Sequence, residues 1–193
     1  MSLYDLIDNN LTDKNTYHSY LETYQRLFNN KKYDYLNILE IGIGDPKSSK
    51  QNGGSIKMWH DYFINSKIYG LDIYDITKIN EQIINKDRIN LYTSINAYDV
   101  NFINKEFIQK NIKFDILIDD GPHTYESMVF FIKNYLYLLN ADGLMIIEDI
   151  PNIEWTNTFI NLVKGDNTIK NIEVVDLRYK KNRWDDIMLV IYK

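Results

Sequence analysis

Apolar runs of strand length alternate with amphipathic stretches along this chain, and that alternation constrains the fold more than any other feature. The runs are Leu36-Asn-Ile-Leu-Glu-Ile41 and residues 66–71, 89–92, 114–118, 144–147, 172–177 and 187–192. Between the earlier ones lie segments of helical periodicity. Tyr17, Tyr20, Leu21, Tyr24, Leu27 and Phe28 recur at helical spacing and predict a helix over 11–28. Others are predicted over 56–64 with Ser55 as N-cap, near 79–84 and 102–110, and over 125–139 and 155–163. Strands alternating with helices imply parallel βαβ units. The last two runs are joined by a polar loop, 178–186, too short for a crossover helix, so they are expected to pair antiparallel.

Two of these runs stop abruptly at acids. Phe114-Asp-Ile-Leu-Ile-Asp-Asp-Gly-Pro-His123 ends in Asp119, Asp120 and His123, and Leu144-Met-Ile-Ile-Glu-Asp149 ends in Glu148 and Asp149. In an open parallel sheet, ligands bind just outside the carboxyl ends of strands. Four carboxylates brought together there repel one another without a cation. Oxygen ligands beside an imidazole suit a hard divalent ion next to a proton acceptor. The bland alternatives are turn and cap roles for Asp119 and Asp120, a solvated strand end for Glu148 and Asp149, and a helix-start role for His123.

A second constellation follows the first strand. Glu40-Ile-Gly-Ile-Gly44 leads into a glycine-containing loop with Pro46, Gly53 and Gly54, and Asp72 ends the next strand 28 residues after Gly44. Glycines let backbone approach a ligand, and an acid at that strand end suits a ribose diol. A dinucleotide fingerprint requires a third glycine at position 47, where this chain has Lys47. That disfavours a nicotinamide oxidoreductase. A nucleoside without phosphates fits better, with S-adenosylmethionine as the leading candidate.

Composition narrows the classes further. A chain of 193 residues is expected to form one domain, with residues 1–35 as a helical segment covering the cofactor and active site. The net charge of −5 and the lack of a long basic stretch argue against nucleic acid as partner. No apolar run approaches the roughly 18 residues a membrane span needs. There is no cysteine, hence no disulfide and no thiolate ligand or nucleophile, and a cytoplasmic enzyme is expected. Lysine outnumbers arginine 18 to 4, and Asn, Ile and Tyr are abundant. These are residues of A/T-rich codons, so single tyrosines and asparagines carry little functional weight.

Taken together the motifs resemble class I S-adenosylmethionine-dependent methyltransferases, and more narrowly the metal-dependent sugar O-methyltransferases of macrolide biosynthesis. The matching stretches are Thr12-Asp-Lys14 with His18 and Tyr20, Leu39-Glu-Ile-Gly-Ile43, Gly53-Gly-Ser-Ile-Lys-Met-Trp59, Ile68-Tyr-Gly-Leu-Asp-Ile73, Ile118-Asp-Asp-Gly-Pro-His123 and Ile147-Glu-Asp149. Asp176-Leu-Arg178 and Asp185-Asp186 are also similar. The resemblance implies a Rossmann-like α/β fold: a seven-stranded mixed sheet with an antiparallel last strand and helices on both faces. It implies that Glu40, Gly42, Gly44 and Ser55 surround the methionine portion of the cofactor, that Asp72 holds its ribose, and that Thr93, Ser94 and Asn96 flank the adenine. Asp119 joins the cofactor's surroundings. Asp120, Glu148 and Asp149 match the ligands of Mg²⁺ or another divalent cation, and His123 matches the general base.

The departures are the loop 45–52, Pro122 before the histidine, and no counterpart of the long N-terminal extension of the antibiotic-pathway enzymes. The implied reaction is methyl transfer to a hydroxyl of a sugar or sugar-containing small molecule or glycan, with an oligomer possible. The competing expectations are a catechol or phenol acceptor, and a non-catalytic nucleoside-binding protein of the same fold. His18 is a weaker candidate for lining the site, and His60, Met58 and Trp59 read as structural.

Overall fold

The computed structural model describes residues 1–44 and 52–193, which form two compact units, residues 1–95 and 96–193. Pro46 and Lys47, on which part of the reading of the glycine loop rests, lie outside the described residues.

The first unit contains helices α1 (Leu3–Leu6), α2 (Leu21–Phe28) and α3 (Gly54–Tyr62) and strands β1 (Asn37–Ile41), β2 (Lys67–Leu71) and β3 (Ile89–Tyr92). The three strands are parallel, with Glu40 opposite Gly70 and Leu71 opposite Tyr92. Every position of β1 and β2 after the first is buried, as expected for strands covered on both faces. Helix α2 buries Leu21, Tyr24 and Phe28 on one stripe. Tyr24 and Phe28 meet the Trp59 ring of α3 at centroid distances of 4.9 and 5.5 Å.

The second unit contains helices α4 (Val100–Ile103), α5 (Tyr125–Tyr135), α6 (Glu154–Val163) and α7 (Arg178–Lys181), and strands β4 (Phe114–Asp119), β5 (Leu139–Ile147), β6 (Asn171–Asp176) and β7 (Ile187–Tyr192). Strands β4 and β5 are parallel, while β7 runs antiparallel to both β5 and β6, as the short connection demands. The seven-stranded mixed sheet takes β3-β2-β1, in that order, from the first unit and β4-β5-β7-β6 from the second.

Register positions the acids. Asp119 pairs with Ile147, and Ile147 pairs with Leu189, so residues 120, 148 and 149 leave the sheet at the same level. Because β7 runs the opposite way, its first residue lies at that same end, and Ile187 O accepts from Ile150 N at 3.1 Å.

Several sequence expectations are corrected. The helix predicted over 11–28 is only Leu21–Phe28. Residues 13–18 turn instead, because Leu11 O accepts from Gly54 N and Lys14 is drawn inward to an acid. The stretch 79–84 is not helical and is preceded by a single 3₁₀ turn, Ile76–Lys78. Asp75 and Asn80 accept from the backbone N–H groups of Thr77 and Gln82, satisfying them without a helix. The predicted 102–110 helix is Val100–Ile103 running into a π-helical turn, Asn104–Ile108. The predicted 125–139 helix ends at Tyr135, and β5 already begins at Leu139. Ser55 is not the N-cap of α3; Gly53 is, in the left-handed conformation at φ +86°. Only glycine takes that conformation at little cost.

Candidate functional site

The residues expected around a nucleoside sit at the carboxyl ends of β1 and β2. Gly42, at φ 91°, turns the chain out of β1. Gly53 N then bonds back to Ile43 O at 2.8 Å, and a Cβ on Gly54 would overlap the Leu11 carbonyl. Ser55 lies buried in the first turn of α3.

Asp72 fastens this turn. Its Oδ2 accepts from Ile43 N and Gly44 N, both at 2.8 Å, and its Oδ1 from Tyr74 N at 2.8 Å. An ionised carboxylate offers about four acceptor positions. Three backbone donors leave room for about one further hydrogen bond, where a chelated diol asks for two.

Glu40 is fully buried and held by two groups from outside its strand. Trp59 Nε1 donates to Oε2 at 2.7 Å, and Lys14 Nζ lies 3.3 Å from Oε1 with its side chain 1% exposed. A buried carboxylate needs such compensation. Lys14 carries no periodicity or chemical signal in sequence; it appears only inside a stretch quoted for resemblance. Trp59, read as structural, is both core and hydrogen-bond donor. His18 is 4% exposed and stacks on Tyr20 at 4.9 Å. His60 bonds Arg88 Nη2 at 2.9 Å and Asp61 at 2.8 Å, in keeping with a structural role.

Beyond β3, Thr93 is half-buried and Ser94 and Asn96 are exposed. Ser94, at φ 56°, donates its N–H to Tyr74 O at 2.8 Å, and Ile95 N reaches Asp72 O at 3.1 Å. The side chain of Asn96 accepts from Tyr98 N at 2.9 Å.

In the second unit, Asp120, His123 and Asp149 come together, their ligand atoms within 4.8 Å of one another. His123 Nε2 lies 3.5 Å from Asp149 Oδ2 and 3.8 Å from Asp120 Oδ1. His123 and Asp149 both occupy the left-handed region, at φ 53° and 50°. Holding non-glycine residues there costs free energy that the surrounding structure supplies, a pattern concentrated at ligand clamps and active sites. Two carboxylates at these separations suit one divalent cation, with the imidazole beside them free to act as proton acceptor.

The sequence grouped Asp120, Glu148 and Asp149 as cation ligands and set His123 apart. The structure brings His123 to two of those three acids, Asp120 and Asp149. Glu148 is 1% exposed, and its N–H donates to Asp119 O at 3.0 Å, continuing the ladder one residue past β5.

Asp119 is 3% exposed. Its Oδ1 accepts from the Tyr98 hydroxyl, and its Oδ2 is buried without a partner among the described residues, as is Nδ1 of His123. Burial pushes the Asp119 carboxyl up to about 7, against the opposing pull of the Tyr98 hydroxyl and His123. Sequence reasoning missed Tyr98 altogether, since one tyrosine among 16 carries no signal. At the loop before β7, Arg183 grips Asp185 with both carboxylate oxygens at 2.7–2.8 Å.

No protein-family model matches the chain. It is 31% identical over 154 residues to demethylmacrocin O-methyltransferase of Streptomyces fradiae, covering 79% of this chain and 37% of that one. It is 30% identical over 138 residues to mycinamicin VI 2″-O-methyltransferase of Micromonospora griseorubida, covering 72% and 33%. The structure is similar to that of the MycE methyltransferase from the mycinamycin pathway, solved with Mg, SAH and mycinamycin VI. That likeness has a TM-score of 0.77 at 22% identity, over 99% of this chain and 54% of the other. The chain thus spans about a third of the length of the curated relatives it matches. The Rossmann-like class I methyltransferase fold is shown, and the resemblance to sugar O-methyltransferases holds over most of this chain.

Proposed function

We propose that this protein transfers the methyl group of S-adenosylmethionine to a hydroxyl oxygen of a sugar or a sugar-bearing small molecule. The observation that carries the reading is the meeting of Asp120, Asp149 and His123 at the carboxyl ends of two parallel strands. The sequence similarity to macrolide and tetracenomycin sugar O-methyltransferases supports the acceptor class. In this reading Asp120 and Asp149 hold a divalent cation, and the resemblance adds Glu148 to its ligands. When bound, such an ion lowers the charge developing on the acceptor oxygen.

His123 takes the hydroxyl proton at Nε2, the nitrogen turned toward the carboxylates, in the ring tautomer that carries its hydrogen on Nδ1. The acceptor oxygen forms a bond to the methyl carbon as the carbon–sulfur bond breaks. The sulfonium leaves as a neutral thioether, and the proton stays on His123.

On the donor side, Gly42, Gly44 and Ser55 line the methionine portion and Thr93, Ser94 and Asn96 the adenine, and the resemblance adds Asp119 to the donor-binding residues. Glu40, already paired with Lys14 and Trp59, shapes the wall behind the glycines. Asp72 accepts one ribose hydroxyl with its remaining capacity and holds the Ile43–Gly44 amides in place. Residues 1–35 cover this region. A cytoplasmic setting, where the methyl donor is made, belongs to the same reading. Among the described residues no helix is long and apolar enough to cross a membrane.

The test combines calorimetry with a screen of sugars and glycosides using labelled methyl donor. S-adenosylmethionine is expected to bind and NAD not to. Label transfer is expected to stop on chelation and return with Mg²⁺. Undiminished turnover in metal-free buffer would overturn the cation's part, and transfer to catechols but not to sugars would overturn the acceptor class.

A further inference from the structure

We propose that Tyr98 is a positioning residue for the acid cluster: one hydroxyl fixes the backbone on both sides of Asp120. The inference rests on the cation reading above.

The first side is Asp119. Its buried Oδ1 accepts the Tyr98 hydroxyl proton, while Oδ2 is without a partner among the described residues. The hydroxyl therefore sets the orientation of this carboxylate together with the Gly121 backbone N–H. The second side is Gly121. A Cβ there would overlap the Tyr98 hydroxyl and lie 3.1 Å from its Cζ and 3.0 Å from Asp119 Oδ1. Gly121 is not among the glycines with positive φ, so its backbone does not require glycine; the space the phenol fills does. The peptide carrying Asp120 thus runs between a residue hydrogen-bonded to Tyr98 and a residue packed against it.

Tyr98 is itself held firmly. Its N–H donates to Asn96 Oδ1 at 2.9 Å, and the preceding carbonyl, Ala97 O, accepts from Tyr135 Oη at 2.7 Å. The Phe130 ring packs edge-on at 5.9 Å. Phe130 and Tyr135 both belong to α5, which begins two residues after His123. The same helix therefore anchors the phenol and leaves the turn bearing His123. Burial, and then the charge of Asp119, raise the phenol above its usual range, so it stays a hydrogen-bond donor.

Groups that orient metal ligands change metal affinity about 10- to 100-fold when removed. The experiment is titration of wild-type, Y98F and G121A proteins with Mg²⁺ by calorimetry, with melting curves of both variants and of Y98F/G121A. Y98F is expected to fold and bind Mg²⁺ about 10- to 100-fold more weakly. The Tm lost on Gly121→Ala should shrink in the Y98F background, because the overlapping oxygen is gone. A purely structural role would lower Tm without weakening Mg²⁺ binding, so wild-type affinity in folded Y98F overturns the proposal. Should Y98F fail to fold, G121A decides: it displaces the hydroxyl, and unaltered Mg²⁺ affinity overturns the proposal equally. Wild-type protein that binds no Mg²⁺ would overturn the cation reading and this inference with it, an outcome distinct from either variant result.

Discussion

Asp72 in the first unit and Asp119 in the second each lie where a parallel strand ends, and each is almost wholly buried, at 5% and 3% exposure. Asp72 accepts three backbone N–H groups. Asp119 accepts from a phenol and from the Gly121 backbone, and leaves Oδ2 without a partner among the described residues. The same contrast runs through their surroundings. In the first unit Lys14 and Trp59 compensate Glu40, and the positive-φ positions of the glycine turn, 42 and 53, are glycines. In the second, His123 and Asp149 occupy left-handed backbone without being glycine, and His123 Nδ1 is buried without a partner among the described residues. A satisfied carboxylate acts as a clamp that shapes a pocket. A buried carboxylate oxygen left over at Asp119, beside strained backbone at His123 and Asp149, points to a site completed by a ligand.

The contrast breaks most readily at His123. His123→Ala is expected to lower kcat by roughly 10²–10⁴-fold, about 3–5 kcal/mol on the barrier. Tm and donor affinity should hardly change, and calorimetry beside initial rates checks both. A variant with its rate intact would show His123 to be structural. The opposite signature belongs to the first unit. Lys14→Met strands a buried carboxylate and should cost about 3–5 kcal/mol of stability, read as a loss in denaturant midpoint. If the midpoint stays put, the compensation ascribed to Lys14 is wrong.

Asp72→Ala leaves three amides without their acceptor. It should cost on the order of 3 kcal/mol and weaken the methyl donor in parallel. A stable variant that merely loses donor affinity would mean that Asp72 serves the ribose more than the turn. The smallest effect sharpens the comparison from the other side. His123→Gly releases left-handed strain of about 1 kcal/mol and should raise Tm by roughly 2–4 °C while abolishing turnover. A fall in Tm would remove strain from the account of the site.

Most of the strands were legible because β-branched apolar runs bounded by acids and glycines leave little choice of conformation. The acids at the ends of β4 and β5 were legible for the same reason. The N-terminal helix was overcalled: the tyrosine spacing over 17–28 is helical, but bonds to Leu11 and Lys14 from distant residues take the early part out of it. Local periodicity cannot register such partners.

By itself, then, the sequence determined which stretches become strands, their relative directions and which acids leave them. Those follow from burial and chain connectivity, both local in sequence. Only the tertiary structure decided that His123 meets Asp120 and Asp149, beside left-handed turns at His123 and Asp149 that no propensity announces. Only it brought Tyr98 to Asp119 and Lys14 to Glu40, because a hydrogen bond and an ion pair between residues 21 and 26 positions apart depend on how whole elements pack.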